Sequence, residues 1–365
     1  FKLFMKITKP TLLVDEQKVR KNVRMMLQKA KSNEAVLRPH FKTHHSADIA
    51  AWLKEEGVTK ATVSSVDMAK YFAKAGWDDI TIAFPYNPLE AEEVEQLAKQ
   101  ITLNVTIVSK DALTHLNHHV HAPVNYFIKV DVGTHRTGIL PELTDEIGQM
   151  SQPLNPEHKL VGLLAHAGHT YQPMTKEKAE KVFSDSIKAF EKVKAALGQQ
   201  DLIISYGDTP SCSLLDDLPG VNEIRPGNFV FYDIMQEYFN SCALEEIAVC
   251  MACPVVAIHA DRNEVVVFGG AVHFSKDVIS PDGNRSFGTV VKLSESGWKS
   301  QPIAHVDRLS QEHGIIKASD ELIKSLKIGD LVGILPVHSC LTADLQGYYV
   351  SLTGQRLNKF NKADV

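Results

Sequence analysis

Between residues 36 and 227 the chain repeats one pattern: short apolar, often β-branched runs, mostly separated by segments with helical spacing. The runs are VLRPHFK (36–42), ATVSS (61–65), ITIAF (80–84), NVTIVS (104–109), YFIKVDV (126–132), LVGLLAH (160–166), LIISYG (202–207) and NEIRPG (222–227). Runs without polar alternation need cover on both faces, as buried parallel strands do. Segments 15–31, 46–56, 67–75, 88–99, 110–118 and 175–197 instead follow a helical pattern. Val19, Val23, Leu27 and Ala30 mark one such face, with Asp15 as its N-cap; Ser46 opens the next helix and Gly57 stops it. Eight strands alternating with helices define an α/β fold with a parallel sheet, and eight is the number that closes an N-terminal (β/α)8 TIM-type barrel.

The alternation ends near residue 240. Beyond it, strand-like stretches joined by Gly, Asp and Asn turns predict a C-terminal all-β domain. TLLVD (11–15) precedes the first helix and lies outside the eight. The expected division is therefore 16–240 for the barrel, and 1–15 with 241–365 for the β domain.

A chain of 365 residues can bury two large cores, and 44% hydrophobic with 23% charged residues is ordinary for a soluble globular protein. The net charge of −5 argues against nucleic acid or an anionic membrane as a partner. Five cysteines are an odd, sparse set, not a disulfide framework, which fits a reducing, cytoplasmic setting. No apolar run approaches the roughly 20 residues that span a bilayer. The opening FKLFMKITKP is too short and broken for a signal peptide, and Met5 reads as a natural start.

Lys42 ends the first barrel run, in RPHFKTHH. Barrel active sites sit at the C-terminal ends of strands, and a partly desolvated lysine there can form a Schiff base. A lone lysine at that place would be an ordinary loop residue; His40, two residues earlier, and His44 and His45 just after it favour function. Arg136 follows the fifth strand in KVDVGTHRTGI, either pairing a nearby carboxylate or standing beside an oxyanion. His166, His169 and Tyr171 crowd the end of the sixth strand in LLAHAGHTY. GDTPSCS (207–213) and EIRPGNFVFYD (223–233) close the last two strands, where barrels often bind phosphate, although neither carries a phosphate-loop lysine. His338 and Cys340 lie two apart in LPVHSCLT, one face of an extended segment, and imidazole with thiolate suits zinc. Cys250 and Cys253 sit in an apolar run with no matching second pair and read as core thiols.

RPHFKTH, AHAGHTY, IRPGN and HSCLT, in this order, resemble the D-threonine aldolase and D-serine dehydratase family of alanine-racemase-like, fold-type III enzymes that use pyridoxal 5'-phosphate (PLP). The resemblance implies that Lys42 carries the PLP, that Arg136 contacts its phenolic oxygen and that His166 packs on its ring. Arg225 matches an arginine that faces the pyridine nitrogen in alanine racemase. Thr209, Gly227 and Asn228 match phosphate-binding loops, and His40 lies beside the cofactor lysine. His338 and Cys340 match the divalent-metal pair that separates this branch from the racemases. Related enzymes are homodimers that build the active site where one subunit's barrel meets the other's β domain.

Two lyase reactions on a D-3-hydroxy amino acid then compete. In dehydration Lys42 removes the α-proton and the metal helps the β-hydroxyl leave, taking D-serine to pyruvate and ammonia. In retro-aldol cleavage a base such as His169 or His44 deprotonates the β-hydroxyl, giving glycine and an aldehyde. The resemblance also suggests that D-threonine aldolases carry Asp where Cys340 stands and D-serine dehydratases carry Cys. Thiolate prefers zinc and carboxylate prefers manganese, so Cys340 points to Zn2+, with Mn2+ as the alternative ion, and to dehydration. D-3-hydroxyaspartate aldolases and dehydratases belong to the same family. A metal-free amino-acid racemase and a non-catalytic PLP carrier are readings from other classes.

Overall fold

The computed structural model describes residues 7–151 and 154–361; Met5 lies outside them. The chain packs into two units. One contains Arg24–Lys42, Ala50–Gly227 and the stretch from Phe360; the other contains the chain up to Val23, Thr43–Ile49 and Asn228–Lys359. The units interleave along the sequence, which a hydropathy pattern has no means of indicating.

The first strand, β1 (Thr11–Val14), belongs to the second unit, as its place outside the eight requires. The barrel unit holds eight parallel strands: β2 (Val36–Leu37), β3 (Ala61–Val63), β4 (Asp79–Pro85), β5 (Thr102–Ile107), β6 (Asn125–Lys129), β7 (Lys159–Ala165), β8 (Ile203–Tyr206) and β9 (Glu223–Ile224). They pair in the order β2-β9-β8-β7-β6-β5-β4-β3, and a parallel bridge between His40 and Thr62 links β2 back to β3. All eight expected runs are strands, but the first and last are only two residues long. Arg38, Pro39 and Pro226 interrupt the apolar runs there, and proline has no N–H for a ladder. The helices Glu16–Ser32, Ala47–Glu55, Val66–Lys74, Ala91–Ala98, Lys110–His119 and Lys176–Leu197 fall where the spacing puts them. Asp15 caps the first through the Lys18 N–H at 3.1 Å, and Ser46 caps the second through Ile49 N–H at 3.3 Å.

The second unit is a nine-stranded sheet. Its strands are β1, β10 (Val249–His259), β11 (Glu264–Phe268), β12 (Gly288–Ser294), β13 (Gly297–Leu309), β14 (His313–Lys317), β15 (Leu331–Pro336), β16 (Tyr348–Ser351) and β17 (Arg356–Asn358). β1 lies between β10, antiparallel, and β16, parallel. Cys250 and Cys253 on β10 are fully buried free thiols, as core residues should be. The unit is mostly β, not all β. Ala271–Phe274, Asp320–Ser325 and Ser339–Leu345 are short helices, too brief for their apolar spacing to register in the sequence.

Candidate cofactor and metal sites

In the barrel unit, Phe41 is buried and packs edge-on against Phe72 (4.7 Å) and Trp77 (4.8 Å). This fixes the 3-10 turn Phe41–Thr43, which leaves Lys42 exposed just past the strand rather than within it. His40 anchors the same turn: its N–H donates to Pro226 O (3.0 Å), and its Nδ1 lies 3.4 Å from the Lys42 N–H.

Arg136 lies on the loop after β6. That loop closes on itself through Asp131 N–H to Ile139 O (2.9 Å) and Ile139 N–H to Lys129 O (2.8 Å). Gly138 is required there: φ is +123°, and an added Cβ would lie 2.8 Å from the Asp131 nitrogen. Asp131 accepts the Gly133 and His135 N–H groups at 3.0 Å each. Lys129, which sequence reasoning passed over, is buried and donates to Thr137 Oγ1 at 2.6 Å. Burial, then the nearby charges of Arg136, Arg225 and Lys42, push its pKa down to about 8. The usable signal was a lysine inside an apolar strand run, since lysine is rarely buried without a reason.

His166 Nδ1 donates to Gly207 O at 2.9 Å, so its Nε2 carries the lone pair. Burial, then Lys42, hold its pKa down to about 3, and the ring stays neutral. Tyr171 stands 5.9 Å from that ring, centre to centre, and its hydroxyl lies 3.4 Å from the Thr209 N–H. The Thr134 hydroxyl donates to His166 O (2.7 Å), so at 3.4 Å from His169 Nδ1 it can only accept. His169 therefore presents an unprotonated Nε2, and burial lowers its pKa.

Arg225 is buried. Its Nε donates to Ser205 Oγ (2.8 Å) and an Nη to Ala165 O (2.5 Å). Gly207 lets this backbone approach, because a Cβ there would lie 2.6 Å from the Arg225 nitrogen. Asp208 caps the helix Thr209–Leu214 through Ser211 N–H (2.7 Å) and accepts Thr170 Oγ1 (2.8 Å). The next residue, Thr209, has a buried hydroxyl with no hydrogen-bond partner. Four cations, a neutral imidazole and an unsatisfied hydroxyl at the strand ends suit an anionic, phosphorylated ring. The residues present thus fit PLP.

In the second unit, His338 is the extended N-cap of the helix Ser339–Leu345, so Cys340 sits in a first helical turn. The expectation that both lie on one face of an extended segment is corrected here. The helix starts early because buried Asp233 accepts both the Ser339 N–H (2.8 Å) and its hydroxyl (3.1 Å). The two side chains nevertheless lie close enough for each to feel the other's charge. Burial works against charge on both. Asp277, hydrogen-bonded to His338, and the neighbouring Cys340 outweigh it at His338, raising that pKa, and His338 draws the Cys340 thiol below its ordinary value. Thr43 Oγ1 lies 3.4 Å from Cys340 Sγ. Asn228, expected beside Gly227 in a phosphate loop, turns its amide to Asp233 (2.6 Å), Ser339 (3.3 Å) and Cys340 (3.5 Å). Among the described residues no three His, Cys, Asp or Glu side chains gather to hold a metal. The donor pair itself, one imidazole and one thiol drawn towards thiolate, fits a soft divalent ion with open coordination positions.

A parallel eight-stranded barrel with a lysine presented just past its first strand, and a separate β unit, defines the class of alanine-racemase-like enzymes. Residues 14–234 match the family described as "Alanine racemase, N-terminal domain", and residues 248–352 match the "Putative serine dehydratase domain". The chain belongs to the D-serine dehydratase and D-threonine aldolase family of fold-type III enzymes, and it is a lyase. It is 30% identical to a D-serine dehydratase of Dictyostelium discoideum, covering 96% of this chain and 95% of the relative. It is 27% identical to a D-threo-3-hydroxyaspartate dehydratase of Delftia sp. strain HT23, covering 91% of each. A cysteine-to-alanine variant of a D-threo-3-hydroxyaspartate dehydratase, solved in its metal-free form, superposes with a TM-score of 0.91 at 25% identity, covering 98% of this chain and 99% of that one.

Proposed function

We propose that this protein is a PLP- and divalent-metal-dependent lyase of the D-serine dehydratase type, converting D-serine to pyruvate and ammonia. The observation that carries this reading is the His338–Cys340 pair, an imidazole held by a carboxylate beside a thiol drawn towards its thiolate. When bound, PLP withdraws electrons from the substrate Cα, and the metal neutralises charge developing on the departing β-oxygen. Lys42 holds the cofactor and carries the proton taken from Cα. His40 fixes the turn that presents it. Arg136, Arg225 and neutral His166 hold the ring, while Thr209 and the backbone at Gly227 and Asn228 hold the phosphate. His169 exchanges a proton at Nε2 and Tyr171 at its hydroxyl.

Cys340 selects zinc over manganese by softness. The five free cysteines support a cytoplasmic, reducing setting. No helix among the described residues is long and apolar enough to cross a membrane. The proposed assembly is a homodimer, with 16–240 as the PLP-binding domain and 1–15 with 241–365 as the β domain.

The name of the Delftia relative favours D-threo-3-hydroxyaspartate as a second substrate. Retro-aldol cleavage is the rival reaction at the same residues. The deciding experiment gives the protein, loaded with PLP and zinc, D-serine, D-threonine and D-threo-3-hydroxyaspartate, and assays pyruvate, 2-oxobutyrate, oxaloacetate and glycine. Pyruvate from D-serine is expected. Glycine from D-threonine with no keto acid from any substrate overturns the reading, as does equal turnover of L-serine.

A further inference from the structure

We infer that Asp277 is the positioning residue for the metal ligand His338, a role that deepens the reading above. Its Oδ2 lies 2.9 Å from His338 Nδ1. An imidazole with Nδ1–H committed to a carboxylate has one nitrogen left for an ion, so Asp277 selects Nε2 as the ligating atom and fixes the plane of the ring. Carboxylates placed behind metal-bound histidines in this way raise the basicity of the ligand and orient it.

The surrounding segment is built to hold that carboxylate in place. The short helix Ala271–Phe274 is tied to the helix that follows His338: Thr342 Oγ1 donates to Phe274 O (3.0 Å), and Gln346 Nε2 to His273 O (2.9 Å). The chain then turns sharply at Ser275, whose φ of +72° is rare for a residue with a Cβ. Its hydroxyl donates to Asp277 Oδ2 (3.1 Å) and accepts the Asp277 N–H (3.2 Å). A strained turn, two sutures and a serine–aspartate bracket thus converge on one carboxylate, and that carboxylate meets one imidazole nitrogen. The arrangement is what a ligand needs if it is to be pre-set before the ion arrives.

This inference rests on His338 and Cys340 binding the metal, and the test separates the two. Zinc affinity is measured by chelator competition and elemental analysis on the PLP-loaded protein and on His338→Ala, Asp277→Ala and Asp277→Asn. The wild type should bind one zinc, and His338→Ala should lose it. Asp277→Ala should bind about 10–100-fold more weakly. Asp277→Asn, which can still accept from Nδ1–H, should fall between wild type and Asp277→Ala, and PLP absorbance should not move. In the zinc form a slowly exchanging His338 Nδ1 proton should be visible by NMR and vanish in Asp277→Ala. Wild-type zinc affinity in both Asp277 variants overturns the inference. Wild-type affinity in His338→Ala overturns the metal-pair reading beneath it.

Discussion

Arg38 Nε lies 2.9 Å from Glu223 Oε2, and both side chains are 3% exposed. The pair joins the first and last strands of the barrel, and Arg38 also reaches Asp79 at 2.7 Å. Glu223 further accepts from Ser205 Oγ (2.5 Å), which in turn accepts from Arg225 Nε (2.8 Å). Barrel closure and the guanidinium proposed to face the cofactor therefore share one chain of hydrogen bonds. Glu223→Ala takes away one of the two carboxylates that Arg38 meets and breaks the link to Arg225, and should destabilise the protein by about 1–3 kcal/mol. Urea unfolding should show it, together with weaker PLP binding. A loss under about 1 kcal/mol would mean that solvent or a neighbour replaces the carboxylate.

Lys42→Ala should abolish the visible absorbance of lysine-bound PLP and lower activity at least about a thousandfold, as for loss of a proton-transfer group. Borohydride reduction and peptide mapping should place the pyridoxyl group on Lys42. Finding it on Lys129, the buried lysine nearby, would reassign the site.

Exhaustive chelation should remove dehydration of D-serine and leave the PLP absorbance in place, because attachment to a lysine, as proposed for Lys42, needs no metal. His338→Ala should behave alike. Cys340→Asp should move the preferred ion from zinc towards manganese, read by titrating each metal back into chelated protein. Full activity in protein shown metal-free would refute the metal requirement.

His44 is fully buried, and burial, then His45, lower its pKa to about 3. The unfolded chain would take up a proton near pH 6.5, its ordinary value, while the folded one would not. Between about pH 6.5 and pH 3 the unfolded state thus binds more protons, so stability falls as pH falls, by up to about 1.4 kcal/mol per pH unit. Asn at position 44 can still accept the Ser46 N–H that His44 Nδ1 now accepts at 3.0 Å. His44→Asn should flatten this part of the slope of melting temperature against pH. An unchanged slope would place the acid sensitivity elsewhere.

The barrel was legible because parallel strands covered on both faces write long apolar runs, and because Asp15, Ser46 and Gly57 punctuate its helices. The strand-end residues were legible for the same reason: once the strands are counted, Lys42, Arg136, His166 and Arg225 fall at their ends. The supporting residues were not. Asp277 meets His338 across 61 positions of sequence, and its loop carries no periodic signal. Asp233 looked like one more polar loop residue until its carboxylate was seen to begin the helix that carries Cys340. The helical start at Ser339 was hidden because a cap supplied by a distant side chain leaves no trace next to the turn it caps.

The place of β1 between β10 and β16 sets a timetable for synthesis. Its Leu13 pairs with Cys250 on one side and Val350 on the other. A ribosome makes Thr11–Val14 long before Val249–His259, and Tyr348–Ser351 later still. Through most of translation this apolar strand waits with both edges bare, the condition in which strands recruit strands from other chains. A message cut short before Tyr348–Ser351 would yield a polypeptide whose Thr11–Val14 strand is still half unpaired. Yield in the cell should therefore depend on full-length translation and chaperone supply more than on the barrel's own propensity to fold.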